Sequence, residues 1–277
     1  MKVDSKQLYD AARRGRFAVP HANFIDSHSA RAYAAAAEER QLPFLLAYAQ
    51  SHSAILPLEE AAAIGNYFAE AVSVPVVLHL DHGEDMEFIK RAIELGFTSV
   101  MIDASQKSFA ENVAITQQVV RYAHNHGVVV EAELGHVGAN ETSEADELTE
   151  SVYTEVDKVQ EFVAATHVDS LAVSIGTAHG VYKGSPKINF ERLHEIAALT
   201  DVPLVLHGGS SSGDENLSRC AREGITKINI YTDFIVEAYQ AIAKTQPKDY
   251  ISLQQIAEKA MAAVLNHYFD VFGTQKI

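Results

Sequence analysis

The chain contains few of the features that mark several classes of protein. Its 277 residues include one cysteine, Cys220, so an intrachain disulfide is excluded and a reducing compartment is compatible with the sequence. No apolar run approaches the roughly 18 residues of a membrane-spanning helix, and the first residues lack the apolar segment of a secretory signal peptide. We therefore expect a cytoplasmic protein that does not bind membranes.

Positive charge is also scarce. The chain has 22 lysines and arginines against 37 aspartates and glutamates, which gives a net charge of -15. Nucleic acids and anionic membranes are bound through clustered positive charge, so we expect neither as a partner. An anionic substrate would have to be held by local hydrogen-bond donors and a cation, because the negative charge of the whole protein repels it.

Strand-like and helix-like segments alternate along almost the whole chain. Apolar runs typical of buried parallel strands lie at 17–24, 43–49, 75–81, 99–104, 128–134, 169–175, 203–208 and 226–231. Helical periodicity is found at 29–41, 58–73, 86–96, 109–126, 154–167, 189–200, 214–224, 233–244 and 252–272. This pattern predicts an α/β fold in which residues 1–277 form a single (β/α)8 TIM barrel with an extra C-terminal helix.

Three histidines lie at the ends of predicted strands. His82 ends LHLDHG, His179 lies in IGTAHG, and His207 lies in VLHGG. The carboxyl ends of barrel strands meet at one mouth, so these side chains are predicted to lie close together. Three neutral imidazoles leave a metal ion one open position, which is typical of a catalytic zinc site.

Carboxylates lie at neighbouring strand ends. Asp81 precedes His82 and is predicted to act as a metal ligand, as a residue that orients one, or as a general acid/base. Glu131 and Glu133 face the same side of strand five, and Asp103 ends strand four. Because buried acids need cations or protons, a charge network inside the barrel is an alternative interpretation of the glutamates.

The later strand ends carry signals for an anion. The segment 207–212, HGGSSS, supplies glycines, hydroxyls and backbone N–H groups at the start of a helix. Gly180 and Lys183 follow His179, and Asn229 and Thr232 lie at the end of strand eight. Barrels often bind phosphate at the loops after strands seven and eight, so this pattern predicts a phosphate cradle.

Taken in order, these motifs resemble those of the class II, metal-dependent ketose-bisphosphate aldolases. The resemblance covers nearly the whole chain and rests on LHLDHG, VMIDAS, VEAELGHVG, DSLAVSIGTAHGVYKG, VPLVLHGGSS and KINIYTD. It implies a zinc enzyme that reversibly cleaves fructose or tagatose 1,6-bisphosphate, or a related sugar phosphate. The products would be dihydroxyacetone phosphate and an aldehyde, formed through a zinc-stabilised enediolate. We expect a homodimer or homotetramer.

The resemblance also implies roles for single residues. The zinc ligands match His82, His179 and His207. Asp81 matches the acid/base at the hydroxyl of the cleaved bond, and Glu141, in the loop after strand five, matches the glutamate that handles the proton at the dihydroxyacetone carbon. Asn229 matches the side chain that helps to hold the enediolate. Asp103 and Glu133 match alternative metal ligands. The phosphate cradle, where a sodium or potassium ion often binds, matches Gly180, Lys183, Gly208, Ser210 and Thr232.

Three positions depart from the family pattern. Ala49 stands where close relatives carry Ser or Thr near a phosphate, with Ser51 as a substitute. Tyr231 stands where small or polar residues are usual. Pro247 and Lys248 replace a Pro-Arg pair whose arginine reaches the distal phosphate across a subunit contact, and lysine lacks the bidentate fork of arginine. The resemblance therefore supports the dihydroxyacetone phosphate half of the substrate better than the aldehyde half.

Two other functions stay open. A metal-dependent barrel hydrolase would use similar ligands, but such enzymes typically begin with His-x-His at strand one, where this chain reads PHANF. A non-catalytic sugar-phosphate-binding or accessory subunit would need neither Asp81 nor Glu141. No lysine lies at a strand end suited to a Schiff base except Lys227, inside strand eight, so the metal route is expected over the imine route.

Four further histidines lie near predicted loops and are interpreted as surface residues. These are His21, His28, His52 and His136. The alternative is that they shape the aldehyde side of the pocket.

Overall fold

The computed structural model describes residues 1–139, 150–182, 184 and 186–277. Its strands are β1 (Lys2–Val3), β2 (Val19–Asn23), β3 (Phe44–Ala49), β4 (Val76–Gly83), β5 (Ser99–Ile102), β6 (Val129–Leu134), β7 (Gly138–Ala139), β8 (Ser170–Val173), β9 (Ala178–His179), β10 (Leu204–Leu206) and β11 (Ile225–Ile230). Its α-helices are α1 (Lys6–Gly15), α2 (Ser27–Arg40), α3 (Leu58–Ala71), α4 (Met86–Glu94), α5 (Phe109–Asn125), α6 (Val159–Thr166), α7 (Phe190–Leu199), α8 (Asp214–Glu223), α9 (Thr232–Thr245) and α10 (Tyr250–Val271). Short 3-10 helices span Gln50–Ala54 and Val156–Lys158.

Eight parallel strands close into a barrel. Around the barrel the strand order is β2, β3, β4, β5, β6, β8, β10 and β11, and β11 pairs again with β2. Strand β1 extends the sheet at the amino end of β4, and β7 and β9 form a separate parallel pair. The predicted TIM barrel is therefore confirmed.

A helix that the sequence pattern did not identify closes the amino end of the barrel. Helix α1 buries Leu8 and Tyr9 against the first residues of the barrel strands, among them Val19, Leu45 and Val77. Burial of these apolar side chains excludes water from the end of the barrel opposite the strand carboxyl ends.

The extra C-terminal helix is present. Helix α9 packs mainly on α10, whereas α10 also packs on α2 and against β2. The Ala18 N–H, just before β2, donates a hydrogen bond to the Phe272 carbonyl oxygen at 3.2 Å. Asp249 caps α10 by accepting a hydrogen bond from the Ser252 N–H at 2.8 Å. Among the described residues, no helix is both long and apolar enough to cross a membrane.

The interior of the barrel changes from apolar to polar along its axis. Above the apolar layer at the amino end lie His21, His79, Asp81, Glu131 and Lys227, each at most 1% exposed. Barrel interiors are usually filled by branched apolar side chains, and burying charged groups costs free energy unless they are paired. A polar interior next to the strand carboxyl ends therefore marks this mouth as the functional end.

Candidate active site

Three imidazoles converge at the mouth of the barrel. His82 lies near the end of β4, His179 lies in β9, and His207 directly follows β10. Each offers one ring nitrogen, and the three nitrogens lie within 4.8 Å of one another. His207 Nδ1 is 3.1 Å from His82 Nε2. The structure thus brings together three side chains that are far apart in the sequence, close enough for them to be candidate ligands of one metal ion.

Asp81 and His82 are consecutive, yet both side chains face the barrel interior. Successive residues of a regular strand point to opposite faces. Here the pairing of β4 with β5 shifts register between Leu80 and Gly83, and His82 has a left-handed φ of 45°. A side chain at position 83 would not fit, because a Cβ there would lie 2.5 Å from the Met101 carbonyl oxygen. This irregularity, similar to the β-bulges found beside active sites, turns both side chains into the mouth.

Carboxylates orient two of the three imidazoles. Asp103 Oδ2 lies 2.8 Å from His82 Nδ1, so His82 Nε2 is directed towards the other two rings. Glu131 Oε1 lies 3.0 Å from His207 Nε2, so His207 Nδ1 faces His82. A carboxylate on the second ring nitrogen fixes the tautomer and orientation of a ligating histidine. The two rings are therefore held with one nitrogen each available to a metal ion.

Asp81 is fully buried beside the imidazoles and is oriented by two amides. Its Oδ2 accepts a hydrogen bond from Asn23 Nδ2 at 2.9 Å, and its Oδ1 accepts one from Asn229 Nδ2 at 3.2 Å. Burial alone would raise the pKa of Asp81, but the imidazoles of His21 and His82 hold it well below its usual range. The side chain is therefore an oriented carboxylate, which can accept a proton from a bound hydroxyl.

A buried ion pair between Lys227 and Glu131 lies directly beneath the Asp81 side chain. Lys227 Nζ is 2.9 and 2.8 Å from the two oxygens of Glu131, and it is also 3.4 Å from His79 Nε2. Burial alone would raise the pKa of Glu131, but the Lys227 charge lowers it. The charge network predicted as an alternative is thus present, and its carboxylate also holds His207. Because Lys227 Nζ contacts both carboxylate oxygens of Glu131, it is not free to form an imine.

Asp103 and Glu133 form a second group with His82, whose ligand atoms also lie within 4.8 Å of one another. Glu133 Oε1 accepts a hydrogen bond from the Val137 N–H at 2.9 Å. Its Oε2 has no hydrogen-bond partner among the described residues and lies 3.5 Å from His207 Nδ1. Burial and the nearby Asp103 raise the pKa of Glu133 to about 8. Glu133 is therefore a protonated acid within reach of the ring nitrogens.

A third group of close ligand atoms lies deeper in the barrel and comes from His21, His79 and Asp81. A cation there would meet the Lys227 ammonium group, which is 3.4 Å from His79 Nε2. Both oxygens of Asp81 already accept hydrogen bonds from amides. A bound cation and the nearby Lys227 charge would repel each other strongly in this buried site. We therefore interpret His21, His79 and Asp81 as polar residues that fill the barrel interior, and not as a metal site.

Four residues of the predicted phosphate cradle share one pocket with one candidate metal ligand, His179. The pocket is lined by His21, Asn23, His179, Gly180, Gly208, Ser210, Asn229, Ile230, Tyr231 and Thr232. Helix α9 begins at Thr232, and the N–H groups and dipole at a helix N-terminus favour an anion. Ser210 Oγ accepts hydrogen bonds from the backbone N–H of Tyr231 and Asp233, at 3.1 and 3.3 Å, and so holds the loop after β10 to this helix.

Four of the predicted site residues are placed neither in this pocket nor in a group of candidate ligands by the described structure. Glu141 and Lys183 lie outside the described residues. Ser51 is half-buried in the 3-10 helix after β3, and Lys248 is exposed between α9 and α10. Neither of these two lines the pocket in the described part of the chain. Ser51 and Lys248, which stand in for the serine or threonine and the arginine of the family pattern, therefore do not reach the pocket of their own chain.

The interpretation of four histidines as surface residues is wrong for two of them. His21 and His52 are 1% and 3% exposed, and burial lowers the pKa of each to about 4. Both are therefore neutral imidazoles at neutral pH. His52 packs on Tyr231, with ring centroids 4.8 Å apart. His28 and His136 are half-buried.

Comparison with known proteins shows the family of this chain. The family profile described as "Fructose-bisphosphate aldolase class-II" matches residues 3–276. The chain belongs to this family. Class II aldolases are aldehyde-lyases that act on phosphorylated sugars, and the match favours this activity over a barrel hydrolase or a non-catalytic subunit.

Individual relatives are similar over most of their length. A fructose-bisphosphate aldolase from Geobacillus stearothermophilus is 40% identical over 250 residues, which cover 89% of this chain and 86% of the relative. The YdjI aldolase from Escherichia coli K12 superposes with a TM-score of 0.90 at 32% identity, with 99% and 98% of the two chains covered. A fructose-bisphosphate aldolase from Campylobacter jejuni superposes with a TM-score of 0.81 at 22% identity, over 99% and 96%, which at this identity shows the shared fold alone.

Two features of this class II aldolase were not found from its sequence. Asn23 was not singled out, although a polar residue at the end of the first barrel strand, two positions after His21, was an available signal. The bond between Glu131 and His207 was also missed. It depends on how the ends of β6 and β10 are placed on either side of β8 in the closed barrel, which no local motif encodes.

Proposed function

We propose that this class II aldolase uses a zinc ion to cleave a phosphorylated ketose reversibly into dihydroxyacetone phosphate and an aldehyde. The observation that carries the proposal is the meeting of His82, His179 and His207 beside the Asp81 carboxylate, where His179 also lines the pocket of the phosphate cradle. Fructose and tagatose 1,6-bisphosphate are the first candidate substrates.

The donor set fits a divalent ion. His207 Nδ1 and His82 Nε2 face each other at 3.1 Å, and the second nitrogen of each ring is occupied by a carboxylate. His179 Nε2 is buried and has no hydrogen-bond partner among the described residues, which otherwise costs free energy. A zinc ion held by these three residues would supply Lewis acidity to the ketone and hydroxyl oxygens of the substrate. Asp103 and Glu133 are the proposed alternative ligands.

Asp81 is the proposed base for the hydroxyl next to the cleaved bond. Two amide donors, Asn23 and Asn229, hold its carboxylate in one orientation. In the cleavage direction the carboxylate accepts the hydroxyl proton as the carbon–carbon bond breaks, and in the condensation direction it returns that proton. Its lowered pKa keeps it ionised, as a base must be.

Asn229 and Glu141 are proposed to act at the dihydroxyacetone half. Asn229 lines the pocket, and its Oδ1 has no hydrogen-bond partner among the described residues, so it can accept a hydrogen bond from a substrate hydroxyl. Glu141 is the proposed acid/base for the proton at the dihydroxyacetone carbon. This assignment rests on the motif alone, since Glu141 lies outside the described residues.

The phosphate of the dihydroxyacetone half is proposed to lie against Gly180, Gly208, Ser210 and Thr232. All four line one pocket at the N-terminus of α9. Lys183 is proposed to add a positive charge, and a sodium or potassium ion to bind carbonyl and hydroxyl oxygens nearby. We further propose a single-domain cytoplasmic enzyme that forms a homodimer or homotetramer.

Three measurements test the proposal in sequence. Metal analysis of the purified protein should find about one zinc ion per chain, as three protein ligands with one open position predict. Removal of the metal with a chelator should abolish the exchange of a dihydroxyacetone phosphate proton with solvent, and returned zinc should restore it. A screen of aldehydes in the condensation direction should then identify the second substrate. Proton exchange that is unaffected by metal removal would contradict the proposed mechanism.

A further inference from the structure

The side chain of Tyr182 lies between the two loops that carry His179 and His207. Its hydroxyl oxygen is 2.5 Å from the Ala178 nitrogen, 2.7 Å from the Ala178 carbonyl oxygen and 3.1 Å from the Gly208 carbonyl oxygen. Ala178 directly precedes His179, and Gly208 directly follows His207. One hydroxyl group therefore contacts the backbone next to two of the three candidate metal ligands.

The two loops approach each other as closely as their backbones allow. A Cβ on Gly208 would lie 2.4 Å from the Ala178 carbonyl oxygen and 2.6 Å from its carbonyl carbon, and Gly208 has a φ of 65°. No side chain separates the loops at this point. Their spacing is therefore set by this backbone contact and by the groups that hydrogen-bond across it.

The phenol has the hydrogen-bonding capacity that such a link requires. Burial raises the pKa of Tyr182, so the side chain is a neutral donor at neutral pH. It accepts a hydrogen bond from the Ala178 N–H, and its single proton lies within reach of one carbonyl oxygen from each loop. Ser212 Oγ also donates to the Gly208 carbonyl oxygen, at 2.9 Å, and lies 3.5 Å from the Tyr182 hydroxyl. Tyr182 therefore joins the two loops, and Ser212 holds the Gly208 carbonyl oxygen from within its own loop.

We propose that Tyr182 is a positioning residue for the metal centre and the phosphate cradle. Its hydroxyl ties the loop after β8 to the loop after β10, and so it sets both the spacing of His179 and His207 and the distance between Gly180 and Gly208. The inference rests on the proposed metal centre, and it assigns a role to a side chain that binds neither the ion nor the substrate.

The test is Tyr182→Phe, which removes the hydroxyl and keeps the ring. Zinc affinity of the metal-free protein, measured by competition with a chromophoric chelator, should fall by about 10-fold or more, the usual effect of losing a group that orients metal ligands. The KM for dihydroxyacetone phosphate in proton exchange should rise by a larger factor than kcat falls. Tyr239→Phe is the matched control, because Tyr239 is 72% exposed on α9, and it should change neither value.

Ser212→Ala provides a second, milder variant, which should lower zinc affinity in the same direction. If Tyr182 and Ser212 stabilise the same contact between the loops, the double variant should bind zinc no more weakly than Tyr182→Phe alone. The inference would be overturned if the zinc affinity and the KM of both single variants stayed within twofold of the wild-type values. A wild-type protein that binds no zinc would instead contradict the proposed metal centre, so the two failures are distinguishable.

Discussion

Lys227 Nζ lies 2.8 Å from Glu131 Oε2 at the centre of the barrel, where neither side chain is more than 1% exposed. The same carboxylate holds His207 through a contact of 3.0 Å. The buried ion pair and the candidate metal ligand thus depend on one anion. Loss of either partner of Glu131 should therefore affect both stability and metal binding.

Lys227→Met should destabilise the protein by about 3–5 kcal/mol, because it leaves the Glu131 charge buried without its counter-charge. Urea unfolding of the metal-free protein measures this loss. The double variant Lys227→Met/Glu131→Gln should recover most of it, since the unpaired charge is then absent. A loss below about 1 kcal/mol for Lys227→Met, the range of exposed ion pairs, would mean that the pair contributes little.

Asp81→Asn should separate chemistry from metal binding. The variant keeps the size of the side chain but cannot act as a base, so kcat for cleavage should fall by a factor of about 10² or more. Its zinc content should equal that of the wild type, because Asp81 is not one of the three proposed ligands. Asp10→Asn, at an exposed position on α1, is the control. Unchanged turnover in Asp81→Asn would remove this residue from the mechanism.

His207→Ala should lower zinc content and activity together, since it removes one of three ligands. Metal analysis after gel filtration, run beside the cleavage assay, checks both. His194→Gln is the matched control, because the His194 side chain is 53% exposed and pairs with Glu223 on the outside of the barrel. A full zinc content in His207→Ala would show that the ligand assignment is wrong.

The metal-free protein should lose stability as the pH falls below 6.5. Burial lowers the pKa of His21 to about 4, whereas in the unfolded chain it is near 6.5. Between these values the unfolded state binds a proton that the folded state does not, so the free energy of unfolding decreases as the pH falls through this window. His52 contributes in the same direction.

His21→Gln isolates one of these contributions. From pH 7 to pH 5 the variant should lose about 2 kcal/mol less stability than the wild type, because each unit of pKa difference corresponds to about 1.4 kcal/mol. Urea unfolding of both proteins at both pH values measures the difference. Equal losses in the wild type and in His21→Gln would show that His21 is not held neutral by the fold.

The barrel could be predicted because its signals are local. Runs such as residues 203–208 and 226–231 are apolar, and the helical segments between runs show their own period. The first helix, α1, was missed because it precedes the repeating units and packs on the barrel end and not on its side. The residues at positions 140–149 lie outside the described structure, so the prediction for Glu141 there stays a prediction.

The site could be predicted less fully than the fold. The motifs LHLDHG, TAHG and LHGG identified the three histidines, because each lies at the end of a strand. The burial of His21 and His52 was not predicted, because proximity to a loop in the sequence does not show whether a side chain points into the barrel. The backbone irregularity that turns Asp81 and His82 into the same mouth was also not visible in the motif itself.

By itself, the sequence determined the order and type of the eight barrel strands and of the helices that follow them, and the kinds of ligand at the strand ends, because these depend on the spacing of neighbouring residues. Only the tertiary structure decided which ring nitrogen of each histidine is available, which carboxylate orients it, and how Tyr182 joins two loops. These properties come from hydrogen bonds between residues on different strands and loops, whose distances exist only once the barrel has closed.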